Sequence, residues 1–498
     1  MMLMTRRPLP AALAALFAAS VAACTMGPDF TRPPAPPEDG YLAKGERGPA
    51  GQQHEALGQR LSGDWWTLFR SPELDAVVRQ SIAGNQDLAA AESSLGQAVQ
   101  EAAVAAGALY PQADLMAAAD RERINLMAYG FTGPSPVLNL YQVGPTVSYA
   151  LDLFGKLHRQ AEEAGALAEA KAYQLDAAYL ALTGDVVVQA LDMASLNAQI
   201  AAAEDIVADD QQNLQLVRTA KAAGSATDVD VLHADSQLAN DRTQLPPLRQ
   251  GLAEARHALA VLVGHAPAEW SPPDFALAGF RLPDRLPINL PSALVRQRPD
   301  ILAAEAALHA AGAAVGVATA QMYPDITLSA DLLQQATFPG QLFQEMATAI
   351  TAGGGLTAPL FHGGALAAQR AAAEAAYKTA LARYRQTVLR AFAQVADILQ
   401  ALAHDAESVA TEDKAVASAE ASLRLTRLSY AAGNVGVLQV LDAQRQYQQA
   451  RLGAVRAQAK RYVDTAQLFL AMGGGWWDWP GRAGHAPELE AVAGGSGQ

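Results

Sequence analysis

The sequence predicts a mainly helical chain that also carries membrane-type β-strands and consists of two copies of one structural plan. Three observations lead to this prediction. A series of motifs occurs twice at nearly constant spacing, and two long proline-free segments keep a heptad pattern of large side chains. The segments before those heptads alternate small or polar residues with larger apolar ones. A long internal duplication indicates one architectural unit used twice.

The duplication is visible in several short motifs. Residues 300–305 (DILAAE) lie 213 positions after residues 87–92 (DLAAAE), and the Tyr-Pro pairs that begin at Tyr110 and Tyr323 are separated by the same 213 positions. A Leu-Phe pair and an Ala-Ala-Gly triplet recur at spacings of 207 and 209 positions. Insertions in loops would produce these small differences in spacing.

Each half is predicted to begin with a helix followed by strands. The helices span roughly 72–108 and 292–321, and each ends at a Tyr-Pro pair because proline disfavours helix in the residue before it. Residues 112–153 and 325–361 then show the alternation, over about ten residues, that is typical of membrane barrel strands.

The third predicted element of each half is a very long helix. No proline occurs between Pro145 and Pro246 or between Pro359 and Pro480. Large side chains in these windows step by four and three residues in turn, which predicts a coiled-coil seam rather than an ordinary core helix. The seam residues are Leu175, Tyr179, Leu182, Val186, Gln189, Met193, Leu196 and Ile200 in the first window and Tyr377, Leu381, Tyr384, Val388, Ala391, Val395, Ile398 and Leu402 in the second.

Glycine-containing segments interrupt both long helices, at residues 224–228 and 433–437. A second helix is predicted to return from each, over residues 228–262 and 437–471. A helix of about 65 residues would be roughly 100 Å long, and a globular domain rarely needs such a length.

The N-terminus has the pattern of an export signal. Residues 1–23 contain a charged start, an apolar run and small residues that lead to Cys24, the only cysteine in the chain. These small residues before a lone cysteine resemble the lipobox of bacterial lipoproteins, which implies acylation of Cys24; an ordinary signal with an incidental cysteine is the alternative. Thr25 after it implies, by the same resemblance, delivery to the outer membrane. No later apolar run approaches the ~20 residues of a membrane helix, so the mature chain is expected to be anchored only or to cross as strands.

Charge and composition argue against other classes of function. The net charge of −14 provides no surplus of Lys and Arg for a nucleic-acid partner. The nine histidines are scattered, and no metal-ligand or nucleophile pattern is present. We therefore expect no enzyme activity, no metal and no cofactor apart from covalent lipid on Cys24.

These features divide the chain into six predicted parts. They are a lipoprotein signal peptide at 1–23, an acylated tether at 24–63, a first structural repeat at 64–264, an inter-repeat segment at 265–291, a second structural repeat at 292–472 and a C-terminal tail at 473–498.

The motifs in their order resemble the outer-membrane efflux channels of bacterial tripartite pumps of the RND type, and in particular the NodT-type lipoprotein subfamily. The resemblance covers nearly the whole mature chain and includes Trp65-Trp66, residues 298–301 (RPDI), residues 152–155 (DLFG) and residues 438–445 (LQVLDAQR). It implies a homotrimer in which each protomer gives four strands to a shared twelve-stranded β-barrel, continued by a long periplasmic α-helical barrel. It also implies a passive exit duct in the outer membrane, fed by an inner-membrane transporter through a periplasmic adaptor.

The same resemblance implies a gate at the periplasmic tip. Alignment on the glycine turns places Asp230 and Tyr430 where the family has a carboxylate and a tyrosine that bond between neighbouring hairpins, and Asp442 in a constricting acidic ring. Val435 and Gln439 stand where the family can have a latch arginine and a second acidic ring, which implies a weaker latch. The alternative for the aspartates is a solvated helix start or polar face.

The turns at Gly224 and Gly433 are expected to contact the adaptor, since small residues allow close approach between helices. A non-channel periplasmic coiled-coil lipoprotein, structural or adaptor, is the alternative function. Residues 112–153 and 325–361 distinguish the two, because membrane strands there would make the chain a channel. The transported substrate cannot be inferred from the sequence.

Overall fold

The computed structural model describes residues 25–46, 48–49, 53–125, 127, 130 and 132–479. The predicted signal peptide at 1–23, the predicted lipidation site Cys24 and most of the predicted C-terminal tail lie outside the described residues.

The described chain is mostly helical, and its elements are numbered here in chain order. The helices are α1 (Pro72–Gly84), α2 (Gln86–Gly107), α3 (Lys156–Ala222), α4 (Asp228–Arg242), α5 (Leu245–Val263), α6 (Pro299–Ala320), α7 (Ala365–Ala431) and α8 (Val437–Ala471). The strands are β1 (His54–Leu57), β2 (Gln112–Arg123), β3 (Val137–Leu151), β4 (Arg285–Ile288), β5 (Asp325–Ala336) and β6 (Thr348–Thr357).

The two halves repeat one order of elements with matched lengths. Helices α2 and α6 each have 22 residues, strands β2 and β5 each have 12, and helices α3 and α7 each have 67. At 1.5 Å per residue, α3 and α7 are each about 100 Å long. The duplication seen in the sequence is therefore also a duplication of structure.

Three predicted helices are broken where a single helix was expected. Asn85 divides the first, because its backbone N–H bonds the Ser81 carbonyl at the end of α1 while its side chain accepts from Leu88 N at the start of α2. The predicted return helix at 228–262 is divided between α4 and α5, because Pro246 has no N–H to continue the helix. Residues 295–298 separate α6 from a short helical turn at Pro291–Leu294.

The heptad seams are mostly buried, although Gln189, Leu196, Ile200, Tyr377 and Leu381 are only half-buried. In α3, the seam residues Leu175, Tyr179, Leu182, Val186 and Met193 are all buried. In α7 the buried seam runs without interruption from Tyr384 to Leu402. Each long helix thus packs against its neighbours along the stripe that the spacing indicates.

An aromatic core lies where the two halves meet. Trp65, Trp66 and Phe69 are buried, and Trp65 and Phe69 make edge contacts with Phe469 of α8. Beside this core, β1 pairs in parallel with β4. This two-stranded sheet is not predicted from the sequence.

Two helices have the length and apolar composition of a membrane span, α3 and α6. By length and composition, the expectation that no such run follows the signal was wrong for both helices. About half of the apolar window in each helix is buried in the protein, and α6 packs between α3 and α7. Core helices commonly have this composition, so it does not make either helix a membrane span.

Candidate functional site

The second sheet is antiparallel, with strand order β2-β3-β5-β6, and its register separates two chemically different faces. Alternate residues of a strand point to opposite faces, and directly paired residues share a face. One face is apolar and largely exposed in the protomer, with Leu115 and Ile350 each 78% accessible. Its main residues are Leu115, Val143, Val147, Tyr149, Leu328, Leu332, Ile350 and Leu356.

The opposite face of this sheet is mainly polar or small, with Met116, Leu138, Leu140 and Leu333 as its large apolar exceptions. Its residues include Asp114, Thr146, Ser148, Thr327, Ser329, Asp331, Thr351 and Gly353. The four strands have 10 to 15 residues each, and a tilted strand of about 9–11 residues crosses a bilayer. Such a sheet can face lipid on one side and water on the other.

The outer strands of this sheet, β2 and β6, are each paired on one side only. Unpaired backbone N–H and C=O groups are not viable in hydrocarbon, because no water is present to satisfy them. A membrane-spanning sheet of this kind must therefore have its edges paired by other strands.

At the far end of the protomer the two helical hairpins turn in the same way. Ser225 N bonds the Ala220 carbonyl and Gly224 N bonds the Lys221 carbonyl, which is the Schellman arrangement. Asn434 and Gly433 repeat it in the second hairpin. Gly224 and Gly433 have φ of +81° and +77°, a left-handed conformation that favours glycine. An added Cβ would meet no atom within 4 Å at either glycine.

Asp230 lies in the first turn of α4, the return helix of the first hairpin. Its carboxylate accepts hydrogen bonds from the backbone N–H and hydroxyl of Thr227 (2.8 and 2.7 Å), and Thr227 caps the Asp230 N–H in return. This is a capping box. The backbone hydrogen bond from Thr227 is the main cause that lowers the pKa of Asp230. In the second repeat, Gly436 and Gln439 stand at the corresponding positions, and α8 has no side-chain cap.

Tyr430 and Asp442 lie in the second hairpin, on α7 and α8. Tyr430 packs against Leu423, Val440 and Ala443, and exposed Asp442 is paired with Arg445 on its own helix. Within one protomer no described hydrogen bond joins Asp230 to Tyr430, so the predicted bond between neighbouring hairpins stays a prediction.

The two hairpin tips nevertheless contact each other. Val437 and Leu441 of α8 pack against a core formed by α3 and α4, which includes Val217, Ala234 and Leu238. The structure thus brings the predicted gate residues to one end of the protomer. It does not join the three polar side chains into one cluster.

The N-terminal segment at 24–63 was predicted as a tether. Its described part is instead held against the start of α3. Met26 N bonds the Phe154 carbonyl (3.1 Å), where β3 gives way to α3. The buried Arg159 guanidinium bonds Met26 O (3.1 Å), Asp29 Oδ1 (2.7 Å) and Glu162 Oε2 (2.6 Å). Sequence reasoning missed these contacts, because the partners are about 130 residues apart.

No group of three or more His, Cys, Asp or Glu that could hold a metal occurs among residues 25–479 where they are described. The described residues of the tip therefore form caps, turns and single ion pairs rather than a cluster of potential metal ligands.

Comparison with known proteins agrees with this architecture. The family model described as "Outer membrane efflux protein" matches residues 77–265 and 290–474. The pyoverdine export outer membrane protein OpmQ of Pseudomonas aeruginosa is 32% identical over 466 residues, which cover 92% of this chain and 96% of OpmQ. The probable outer membrane lipoprotein SilC of Salmonella typhimurium is 27% identical, over 91% of this chain and 95% of SilC.

The solved structure of the outer-membrane channel OprN has a TM-score of 0.82 at 29% identity, covering 91% of this chain and 100% of OprN. OpmQ is described as an export protein and OprN as a channel, and the alternative of a non-channel coiled-coil lipoprotein is accordingly set aside. The amphipathic sheet, the paired 67-residue helices and the two-part family match lead to one conclusion: the chain belongs to the outer membrane efflux protein family and is an efflux channel of the outer membrane.

Proposed function

We propose that this channel is a homotrimer whose three sheets close into one twelve-stranded barrel, with the long helices forming a hollow α-barrel in the periplasm. The observation that carries this proposal is the exposed apolar face of a four-stranded sheet with two unpaired edges. Closure with copies of the same chain pairs β2 of one protomer with β6 of the next. It satisfies every strand edge and puts the apolar face towards lipid.

We further propose that the duct is passive and receives its solutes from an inner-membrane RND-type transporter through a periplasmic adaptor. The relative OpmQ is named for pyoverdine export, whereas CusC of Escherichia coli, 26% identical, is named a cation efflux system protein. Relatives with one architecture thus carry chemically different cargo. This supports a duct whose cargo is selected by the inner-membrane partner, for which small-molecule solutes are the general class.

The proposed lipid anchor is on Cys24. Thr25, the next residue, lies against Gly155 at the junction of β3 and α3, which is the level where the membrane sheet ends. An acyl chain on Cys24 would therefore enter the adjacent leaflet without a spacer. Each buried methylene adds about 0.8 kcal/mol, so several chains give lasting attachment.

The proposed gate is at the hairpin tips. Three copies of Asp442 around a trimer axis would attract cations, and Asp230 and Tyr430 would hold neighbouring hairpins together. Two features weaken such a gate: Arg445 compensates the charge of Asp442, and the capping box already occupies one oxygen of Asp230. Gly224 and Gly433, exposed at the same end, are proposed as the turns that an adaptor contacts.

The trimer is tested by the protein mass of the detergent-extracted complex, measured by light scattering and corrected for bound detergent. We expect the mass of three chains. A stable monomer would leave two strand edges open in every molecule and would refute the shared barrel.

The gate is tested by conductance in planar bilayers. We expect the double variant Asp230→Ala, Tyr430→Phe to conduct more than the unmodified channel. Asp235→Ala is the matched control, since Asp235 lies on the same helix and its only described ion pair is with Arg218 at 3.9 Å. Unchanged conductance in the double variant would refute the gate, while leaving the trimer in place.

A further inference from the structure

The core of the first hairpin contains two buried carboxyl groups. Asp210 on α3 and Asp241 on α4 are 3% and 8% accessible, and their side chains lie within hydrogen-bonding reach of each other. Two ionised carboxylates at this separation repel each other, and burial adds a cost to each charge. The pair is therefore stable only if a positive charge or a proton is present.

The hydrogen bonds around the pair are unequal. Both oxygens of Asp241 accept amide N–H groups, from Gln237 Nε2 (2.7 Å) and Gln244 Nε2 (3.0 Å). The buried Oδ2 of Asp210 has no hydrogen-bond partner among the described residues. Asp241 thus has the environment of a carboxylate, and Asp210 has that of a carboxylic acid that donates to it.

Gln448 of α8 lies beside Asp210, and Gln444 lies one helical turn before it on the same helix. Gln444 and Gln448 are both at least nine-tenths buried, and the Nε2 atoms of both lack a partner within the described chain. Gln444 is oriented by Asn213 Nδ2 (2.7 Å) and by Arg427 of α7 (3.1 Å), both of which donate to its Oε1. Its N–H group cannot coordinate a metal ion, so the surroundings favour a shared proton.

The charged groups near the pair do not compensate it. Asp209, the neighbour of Asp210 on α3, adds negative charge. Arg427, the cation on α7, contacts Gln444 rather than either carboxyl group. Gln448 of α8 lowers the pKa of Asp210, but it is a neutral amide and adds no positive charge. Its Nε2 also lies outside hydrogen-bonding geometry.

The second repeat shows that the fold does not need these acids. The long helices and the starts of the return helices are offset by 209 residues throughout, so the positions of Asp210 and Asp241 correspond to Ala419 and Ala450. A different pair, Asp405 and Asp464, lies between α7 and α8, but Lys460 bonds both of its carboxylates. Only the first of these two pairs lacks a bridging cation.

The pair also lies at a break in the return helix. Helix α4 ends at Arg242 and α5 begins at Leu245, whereas α8 of the second repeat is continuous. Asp241 is the penultimate residue of α4, so a bond to Asp210 fixes the tip segment to α3 directly beside the break. Loss of that bond would leave α4 free to bend at Thr243 and Gln244.

We propose that Asp210 and Asp241 form a proton-binding site that fastens α4, and with it the hairpin tip, to α3. Burial, followed by the hydrogen bond and charge of Asp241, raises the pKa of Asp210 from 3.8 to about 7. When α4 detaches, the carboxyl returns to its ordinary value. The fastened state therefore has its full stability below about pH 4 and loses it as the pH rises through 7.

The test is hydrogen exchange of α4 amides in the purified full-length channel, corrected for the intrinsic pH dependence of exchange. Protection is expected to fall about tenfold per pH unit between pH 5 and 7 and to level off above 7. Asp210→Asn keeps a donor to Asp241 without a titrating proton, so its corrected protection should be independent of pH. Asp209→Asn removes a neighbouring charge that helps to raise the pKa of Asp210, so it should keep the tenfold slope and move its upper limit to lower pH.

Corrected protection that is independent of pH in the unmodified channel would overturn the proposal, as would the same slope in Asp210→Asn. If Asp210→Asn does not fold, the double variant Asp210→Ala, Asp241→Ala reproduces the residues of the second repeat and should also lose the slope. If α4 is part of the proposed gate, conductance should also depend on pH; exchange does not rest on the gate. A slope in exchange with pH-independent conductance would refute a link between the proton site and the gate and keep the proton site.

Discussion

Gly224 and Gly433 show how single residues determine the geometry of the hairpin tips. Each follows a 67-residue helix and has the left-handed backbone conformation. As a result, two carbonyl groups of the last helical turn accept hydrogen bonds from the N–H groups of the glycine and of the next residue. Steric crowding does not exclude a larger residue here, since an added Cβ would meet no atom within 4 Å. The backbone conformation alone selects glycine at these positions.

Gly224→Ala is therefore expected to destabilise the first hairpin by about 1 kcal/mol, because an L-residue with a Cβ is strained at positive φ. Gly224→Asn should cost less, since asparagine tolerates this conformation. Hydrogen exchange of the last turn of α3 measures the difference. Equal effects of both variants would show that the turn does not depend on backbone conformation. Tests of adaptor binding should use the asparagine variant, because alanine or a bulkier residue would perturb the turn itself.

Some polar residues of the tip could be anticipated from the sequence, and their contacts could not. Thr227 and Asp230 have the spacing of a capping box, and Asp210 and Asp405 continue the heptad seams beyond Ile200 and Leu402, where an acid is unusual. The pairing of Asp210 with Asp241 depends on how the hairpin packs, which spacing alone does not specify. The predicted bond between Asp230 and Tyr430 depends on neighbouring hairpins and stays a prediction.

At the scale of elements, α6 is shaped to receive the N-terminal segment. Gly27 and Gly316 are in backbone contact, and Arg159 passes beside them to reach Met26 and Asp29. A Cβ on Gly316 would lie 2.8 Å from both Arg159 Cγ and the Met26 carbonyl. The helix therefore has a groove at this turn that only glycine leaves open.

Gly316→Ala is expected to displace the N-terminal segment and to expose residues around Asp29 to protease. Loss of the hydrogen bonds of Arg159 would weaken docking by about 2 kcal/mol, or roughly thirtyfold. Limited proteolysis of the purified channel measures the change. Gly312→Ala is the matched control on the same helix, because its Cβ would make only ordinary contact with Tyr377 at 3.7 Å. Equal cleavage of the two variants would contradict the role of the groove.

Long elements were predicted well and short or interrupted ones were not. Heptad spacing over many turns identified α3 and α7, because an apolar seam sustained over several heptads is typical of long helices packed side by side. The break beside Pro246 carried a visible signal in the sequence, whereas Asn85 at the α1–α2 junction is equally compatible with a helix interior. The pairing of β1 with β4 joins two four-residue strands more than 220 residues apart, beyond the reach of local pattern.

At the scale of the whole molecule, the four-stranded sheet and the long helices satisfy their backbone hydrogen bonds in different ways. The long helices satisfy their own backbone and need only neighbouring seams, so one protomer can form them. The sheet satisfies its backbone only when its edges are paired, and its apolar face remains exposed until lipid covers it. In the proposed shared barrel, assembly and membrane insertion would therefore be coupled through the same four strands.

This coupling predicts opposite results for two adjacent residues of β6. Ile350 lies on the apolar face, opposite Leu332, and Thr351 lies on the polar face, opposite Asp331. Ile350→Lys should destabilise the assembled channel by about 2–4 kcal/mol per chain, since it places a charge in hydrocarbon. Thr351→Lys should cost little, because its ammonium faces water and a carboxylate. Urea unfolding in lipid bilayers measures both, and a larger loss for Thr351→Lys would mean that the faces of the sheet are assigned the wrong way round.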